Sequence, residues 1–156
     1  MTLADALRLS CNIPFAELAV ELGAALDLPV IHLDAHYWQP GWRPTPAAEW
    51  GERVNSLVQR ERWIVDGNYG GTLEPRIRAA DAVILLMLPR VQCLLRVFKR
   101  AIRHRGRARP DLNPGCPEQL PDREFIRWIW QYPVDSLPRV MIALRGTPWG
   151  INANGG

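Results

Sequence analysis

The chain has 156 residues, 47% of them hydrophobic and 22% charged, with a formal net charge of +3. This suits one globular domain with one core and excludes a disordered, collagenous or disulfide-scaffold chain. No apolar run reaches the ~20 residues needed to cross a bilayer, and no basic stretch leading into an apolar one marks a secretory leader.

In chain order, Ala16 to Leu26 has the spacing of an amphipathic helix, with Leu18, Leu22, Ala25 and Leu26 on one stripe. Pro29 ends it, and Val30-Ile31-His32-Leu33 is a short apolar strand. Asp34 to Pro46, rich in proline, glycine and aromatics, is expected to be loop. Ala47 to Arg62 is a second helix turning Trp50, Val54, Leu57 and Val58 inward. Trp63-Ile64-Val65 is a buried strand that runs into Asp66-Gly67-Asn68-Tyr69. Thr72 is placed to cap a short helix ending at Ala79. Ala82 to Leu88 is a continuous apolar run of the kind found in parallel strands buried on both faces. Pro89 suits the first turn of a helix from Arg90 to about His104. Arg105 to Pro121 is irregular. Asp122 starts a helix carrying Phe125, Trp128, Ile129 and Tyr132; Pro133 is expected to interrupt it before a last helical stretch to Leu144. Gly146 to Gly156 shows no periodicity and is expected to be a disordered tail.

The basic residues are unevenly placed. All but Lys99 are arginines, and between Ala82 and Pro110 there is no acidic residue, while Arg90, Arg96, Lys99, Arg100, Arg103, Arg105, Arg107 and Arg109 crowd together. Cations without local counter-charges repel one another and call for anions from elsewhere. The planar guanidinium fork makes phosphate a natural one. The three cysteines, Cys11, Cys93 and Cys116, lack metal-ligand spacing, so a reduced, cytoplasmic protein is expected. His36 and His104 stand apart from them and from each other, which argues against zinc. His32, inside an apolar strand, reads as a hydrogen-bonded core residue rather than a ligand.

Strands alternating with helices predict an α/β domain with a parallel sheet, whose ligands bind at the carboxyl ends of the strands. That rule gathers Asp34 and His36 from one strand end, Asp66, Asn68 and Tyr69 from the next, and Pro89 and Arg90 from the third. Two aspartates facing arginines suit phosphoryl transfer: carboxylates hold hydrated Mg²⁺ or deprotonate an acceptor hydroxyl, and arginines neutralise the moving charge. Trp38 and Trp42 offer either a wall for an acceptor or indoles that anchor the loop.

The strings LPVIHLDAHYWQPGW (Leu28 to Trp42), WIVDGNY (Trp63 to Tyr69), RGRARPD (Arg105 to Asp111), GCPE (Gly115 to Glu118) and FIRWIWQYP (Phe125 to Pro133) match, in order and spacing, the adenylate-kinase-like P-loop family known as DNA topology modulation proteins. The resemblance runs from about Ala16 to Leu144. It implies a three-layer α/β/α P-loop domain over residues 1–156, lacking the usual C-terminal strand and helix. It also implies ATP and Mg²⁺ as cofactors and kinase-type transfer to a small, nucleotide-like acceptor. Asp34, Asp66, Arg103, Arg107 and Arg109 then become the candidate catalytic residues, with Asp66 the indirect Mg²⁺ holder. Asp34, His36, Trp38, Trp42, Asn68 and Tyr69 become the acceptor residues. Residues 103–121 form an arginine-rich lid, and Arg105 and Arg127 join Pro14, Phe15 and Ala16 at the cofactor.

The first strand and phosphate loop, residues 1–15, depart from the family pattern. The eight positions of GxxxxGKS fall on Leu9 to Ala16, where the two glycines are Leu9 and Pro14, the lysine is Phe15 and the metal-binding hydroxyl is Ala16. Proline removes a backbone donor, and phenylalanine cannot offset phosphate charge. ATP binding is therefore expected to be weakened or lost. The alternatives are a non-catalytic module that binds nucleic acid or another polyanion through the arginines, and a truncated remnant.

Overall fold

This computed structural model describes residues 6–8, 14–85 and 87–146, with the backbone alone at residues 6–8, 14 and 15. Among these, four parallel strands make the main sheet: β1 (Ala6–Arg8), β2 (Val30–His32), β5 (Ile64–Asp66) and β6 (Ala82–Ile84), in the order β2-β5-β1-β6. The remaining elements are α1 (Pro14–Leu26), α2 (Leu33–Tyr37), the two-residue strands β3 (Trp38–Gln39) and β4 (Arg43–Pro44), α3 (Ala47–Val58), α4 (Leu73–Ala79), α5 (Arg90–Arg103), α6 (Arg123–Asp135) and α7 (Leu137–Arg145).

The strand period of two decides the layering. Register pairs Val30 with Ile64 and Ile31 with Val65. Ile31 and Val65 point to one face, where Trp50, Val54, Leu57, Leu73, Ile77, Val140 and Leu144 complete the larger core from α3, α4 and α7. Val30, Ile64 and Ile84 point to the other, where α1 lays Ala19 and Leu22. Helices on both faces of a parallel sheet give the α/β architecture the alternating pattern predicts.

Helix ends follow local chemistry. α1 closes with Asp27 in the left-handed region (φ 52) and the Leu28 amide on the Gly23 carbonyl at 2.9 Å, a Schellman closure. Asp122 caps α6 as expected, accepting the Phe125 amide at 2.8 Å.

Five sequence expectations need correction. Asp34 to Pro46 is not plain loop: it holds α2 and the β3–β4 hairpin, which pairs Trp38 with Pro44 and turns through Gly41 (φ 78) and Trp42 (φ 60). The helix from Ala47 stops at Val58 rather than Arg62, where the Trp63 indole N–H donates to the Val58 carbonyl at 3.2 Å. Thr72 does not cap α4; its hydroxyl donates to the Tyr69 carbonyl. β6 covers only Ala82–Ile84 of the apolar run, because its partner β1 offers three residues for pairing. Pro133 does not end its helix, which continues to Asp135 and breaks at Ser136. Leu9 to Ile13 and residues 147–156, covering most of the expected phosphate loop and the tail, lie outside the described residues.

No described helix is long and apolar enough to cross a membrane. Cys116 is free and buried.

Candidate functional site

The crevice follows from strand order. From β1 the chain crosses to β2 on one side of the sheet, and from β5 it crosses to β6 on the other. β1 and β5 are neighbours whose exits diverge, so a cleft opens beyond their carboxyl ends. Asp66 ends β5, in register with Arg8 on β1 and His32 on β2. This places Asp66 at the middle of the crevice, with Asp34 one strand away.

Two cavities open there. The first, about 390 Å³, is lined by Asp34, Trp38, Trp42, Asn68, Tyr69 and the Arg100, Arg109 and Glu118 side chains, and is closed by Phe125 and Trp128 of α6. The second, about 560 Å³, lies over the start of α1, between Ala16, Glu17 and Glu21 on one side and His32, Arg103, His104 and Asp111 on the other. Arg100 and Arg109 line both.

At the first cavity, the Tyr69 hydroxyl donates to Asp34 Oδ1 at 2.6 Å. Burial raises the Asp34 carboxyl above its usual range, opposed by that hydrogen bond and by Arg109. Burial and the facing carboxylate push the Tyr69 phenol far up, so it stays a donor. The loop that carries Asn68 and Tyr69 is held by a residue with no obvious sequence signal. Arg76 is fully buried and donates to the carbonyls of Thr72 (2.9 Å), Gly67 (3.0 Å) and Tyr69 (2.6 Å). Burial lowers its guanidinium to about 10. Gly67 belongs in this loop because it sits at φ 141 and a Cβ would lie 2.7 Å from Leu33 Cβ.

Glu118 lines the first cavity and bridges the two arginines that the cavities share. Its Oε1 accepts from Arg100 Nε at 2.8 Å, and its Oε2 lies 3.0 Å from Arg109 Nε, an ion contact whose angle falls short of a hydrogen bond. Arg109 also meets Asp111 at 3.2 Å. For Arg100 and Arg109 the expectation of uncompensated arginines is thereby corrected. Arg100 and Arg109 draw counter-charge from residues downstream, Arg90 stacks over Trp130 at 5.4 Å, and Arg103, Arg105 and Arg107 are exposed.

The segment expected to be a lid is docked on the tryptophan hairpin. The Trp42 indole donates to the Pro117 carbonyl at 2.9 Å, the Gly41 amide to the Gly115 carbonyl at 2.8 Å, and the Cys116 thiol to the Gln39 carbonyl at 3.2 Å. Trp42 thus anchors the segment and also lines the cavity.

Asp34, Trp38, Trp42, Asn68, Tyr69 and Arg109 thus meet in one cavity, and Ala16 and Arg103 line the other. The remaining candidates do not join them. His36 lies outside both cavities, its carbonyl accepting from Arg53 at 2.7 Å, and burial lowers its imidazole. Arg105 and Arg107 line neither cavity, and Arg127 reaches Gln131 on the outer side of α6. Pro14 opens α1, but its side chain and that of Phe15 lie outside the description. Asp66 is engaged by His32, whose Nδ1 lies 3.1 Å from Asp66 Oδ2. That bond raises the His32 imidazole against the opposing effect of burial; His32 is hydrogen-bonded as expected, and it lines the second cavity rather than lying wholly in the core.

The described residues around the second cavity do not fit a tightly held magnesium triphosphate. Ala16 has no hydroxyl for the metal, Glu17 and Glu21 would face the phosphates, and the two shared arginines already hold Glu118. Among the described residues no three His, Cys, Asp or Glu side chains are grouped to hold a metal. No family model, no curated protein and no solved structure matches this chain.

Proposed function

We propose that this chain is a small-molecule phosphotransferase by descent, a P-loop kinase-like domain that keeps its acceptor cavity and has lost most of its grip on ATP. The observation that carries the reading is the position of Asp34. It lies at a strand's carboxyl end, beside the crevice between β1 and β5, in an aromatic cavity that shares Arg100 and Arg109 with a second cavity over α1. A carboxylate in such a place can take the proton of an acceptor hydroxyl, and arginines between acceptor and donor can hold a transferring phosphoryl group.

The test restores the loop. A chain carrying Leu9→Gly, Pro14→Gly, Phe15→Lys and Ala16→Ser together is titrated with MgATP by calorimetry beside the wild type. The wild type is expected to bind no tighter than about 1 mM, and the restored chain at least about ten-fold tighter. A folded restored chain with no gain overturns the kinase lineage, and tight MgATP binding by the wild type overturns the loss of grip.

A further inference from the structure

The aromatic cavity has walls and charges that select among acceptors. Trp38 and Trp42 meet edge to face at 5.4 Å, and Phe125 and Trp128 stack at 5.8 Å with 10° between their planes. Flat apolar walls of this kind, enclosing about 390 Å³, suit a planar ring of small-molecule size.

Its charges do not suit an anion. Apart from the Tyr69 phenol, the ionisable groups on the lining are Arg100 and Arg109 against Asp34, Glu118 and Asp122, two cations facing three carboxyls. Glu118 gives one oxygen to each arginine. A phosphate entering here would have to compete with Glu118 and approach Asp34 as well. Two donors nevertheless stand without partners on the lining: Asn68 Nδ2 and Arg100 Nη1, the latter on a side chain only 9% exposed. Asn68 faces the Tyr132 hydroxyl without closing a hydrogen bond to it. Buried donors left unpaired favour a ligand that brings neutral acceptor atoms, such as ring nitrogens or carbonyl oxygens.

We infer that this cavity takes an uncharged, hydroxyl-bearing heteroaromatic molecule, a nucleoside rather than a nucleotide. The ring lies among the tryptophans, its acceptor atoms meet Asn68 and Arg100, and a hydroxyl reaches Asp34. This names the substrate class of the acceptor cavity and rests on the kinase-lineage reading for its catalytic role; binding itself needs no ATP.

The experiment follows tryptophan fluorescence and calorimetry during titration with adenosine, guanosine, cytidine and thymidine, each beside its 5′-monophosphate, without ATP. At least one nucleoside is expected to bind at submillimolar concentration, about ten-fold tighter than its monophosphate, and to hold its affinity as ionic strength rises. Trp42→Ala is expected to weaken it. Glu118→Gln, which frees cationic charge, is expected to narrow or reverse the preference over the monophosphate. The inference is overturned if the folded wild type binds no nucleoside, or binds a monophosphate more tightly than its nucleoside. An unchanged preference in folded Glu118→Gln overturns the charge argument. Should that variant fail to fold, the wild type's response to salt decides, since binding that weakens steeply with salt indicates an anion site. Because MgATP is absent throughout, failure here leaves the loop-restoration result standing and distinguishable.

Discussion

Arg76 carries the loop that positions Asn68 and Tyr69, and replacing it by methionine tests whether that loop is built or incidental. The side chain is fully buried, and no described carboxylate pairs with it. It makes three charge-assisted hydrogen bonds, each worth roughly 1.5–3 kcal/mol. Not all of that is lost. The Tyr69 carbonyl keeps the Thr72 amide at 3.1 Å and the Thr72 hydroxyl at 3.3 Å. Against the loss stands the burial of a cation, visible in the fall of its guanidinium to about 10, which at ~1.4 kcal/mol per pKa unit is roughly 3 kcal/mol returned on removing the charge. Arg76→Met should therefore destabilise by about 2–5 kcal/mol, with the Gly67 carbonyl the main group left short of a donor. Arg76→Lys should cost at least as much, because a point charge keeps the burial cost and cannot span three carbonyls. Urea unfolding followed by both fluorescence and circular dichroism measures this. A methionine variant within ~0.5 kcal/mol of wild type, or full rescue by lysine, would refute the clamp.

Two further outcomes are expected. His32 is raised by its bond to Asp66, so its folded value lies above the unfolded one. The stability it adds is complete below about pH 6.5 and fades as pH rises through the raised value. The urea midpoint of wild type should exceed that of His32→Asn by more at pH 5.5 than at pH 8.5; an equal or larger gap at the higher pH contradicts the pairing. Gly115→Ala would bring a Cβ to 2.7 Å from Pro40 Cβ and 2.9 Å from its Cα. It should lift the docked segment from the tryptophan hairpin at a cost of about 1–3 kcal/mol and speed proteolysis between residues 105 and 121; unchanged cleavage would count against the docking.

Much of the scaffold was readable along the chain because its causes are local. Apolar spacing gives α1, α3 and α5, Asp122 caps α6, and short apolar runs give β2, β5 and β6. The strand-end rule then places Asp34 and Asp66 at one crevice without any contact being known. The spacing of Trp38 and Trp42 leaves wall or anchor open, and only the packed hairpin shows that Trp42 anchors the segment before α6 and that both indoles line a cavity.

What the sequence alone could not decide are pairings between residues far apart along the chain. Glu118 reaches Arg100 and Arg109 because the segment before α6 folds back across the end of α5. The arginine run reads as a free cationic lid until that carboxylate is set between two of its members. His32 and Asp66 sit 34 positions apart and meet because parallel pairing puts them side by side. Arg76 looks like any surface arginine on a short helix until three backbone carbonyls converge on it. Local propensity determines which residues stand at a strand end, while tertiary packing determines which charges there remain open to a ligand. In this protein that second decision sets Glu118 between Arg100 and Arg109, the two arginines that line both cavities.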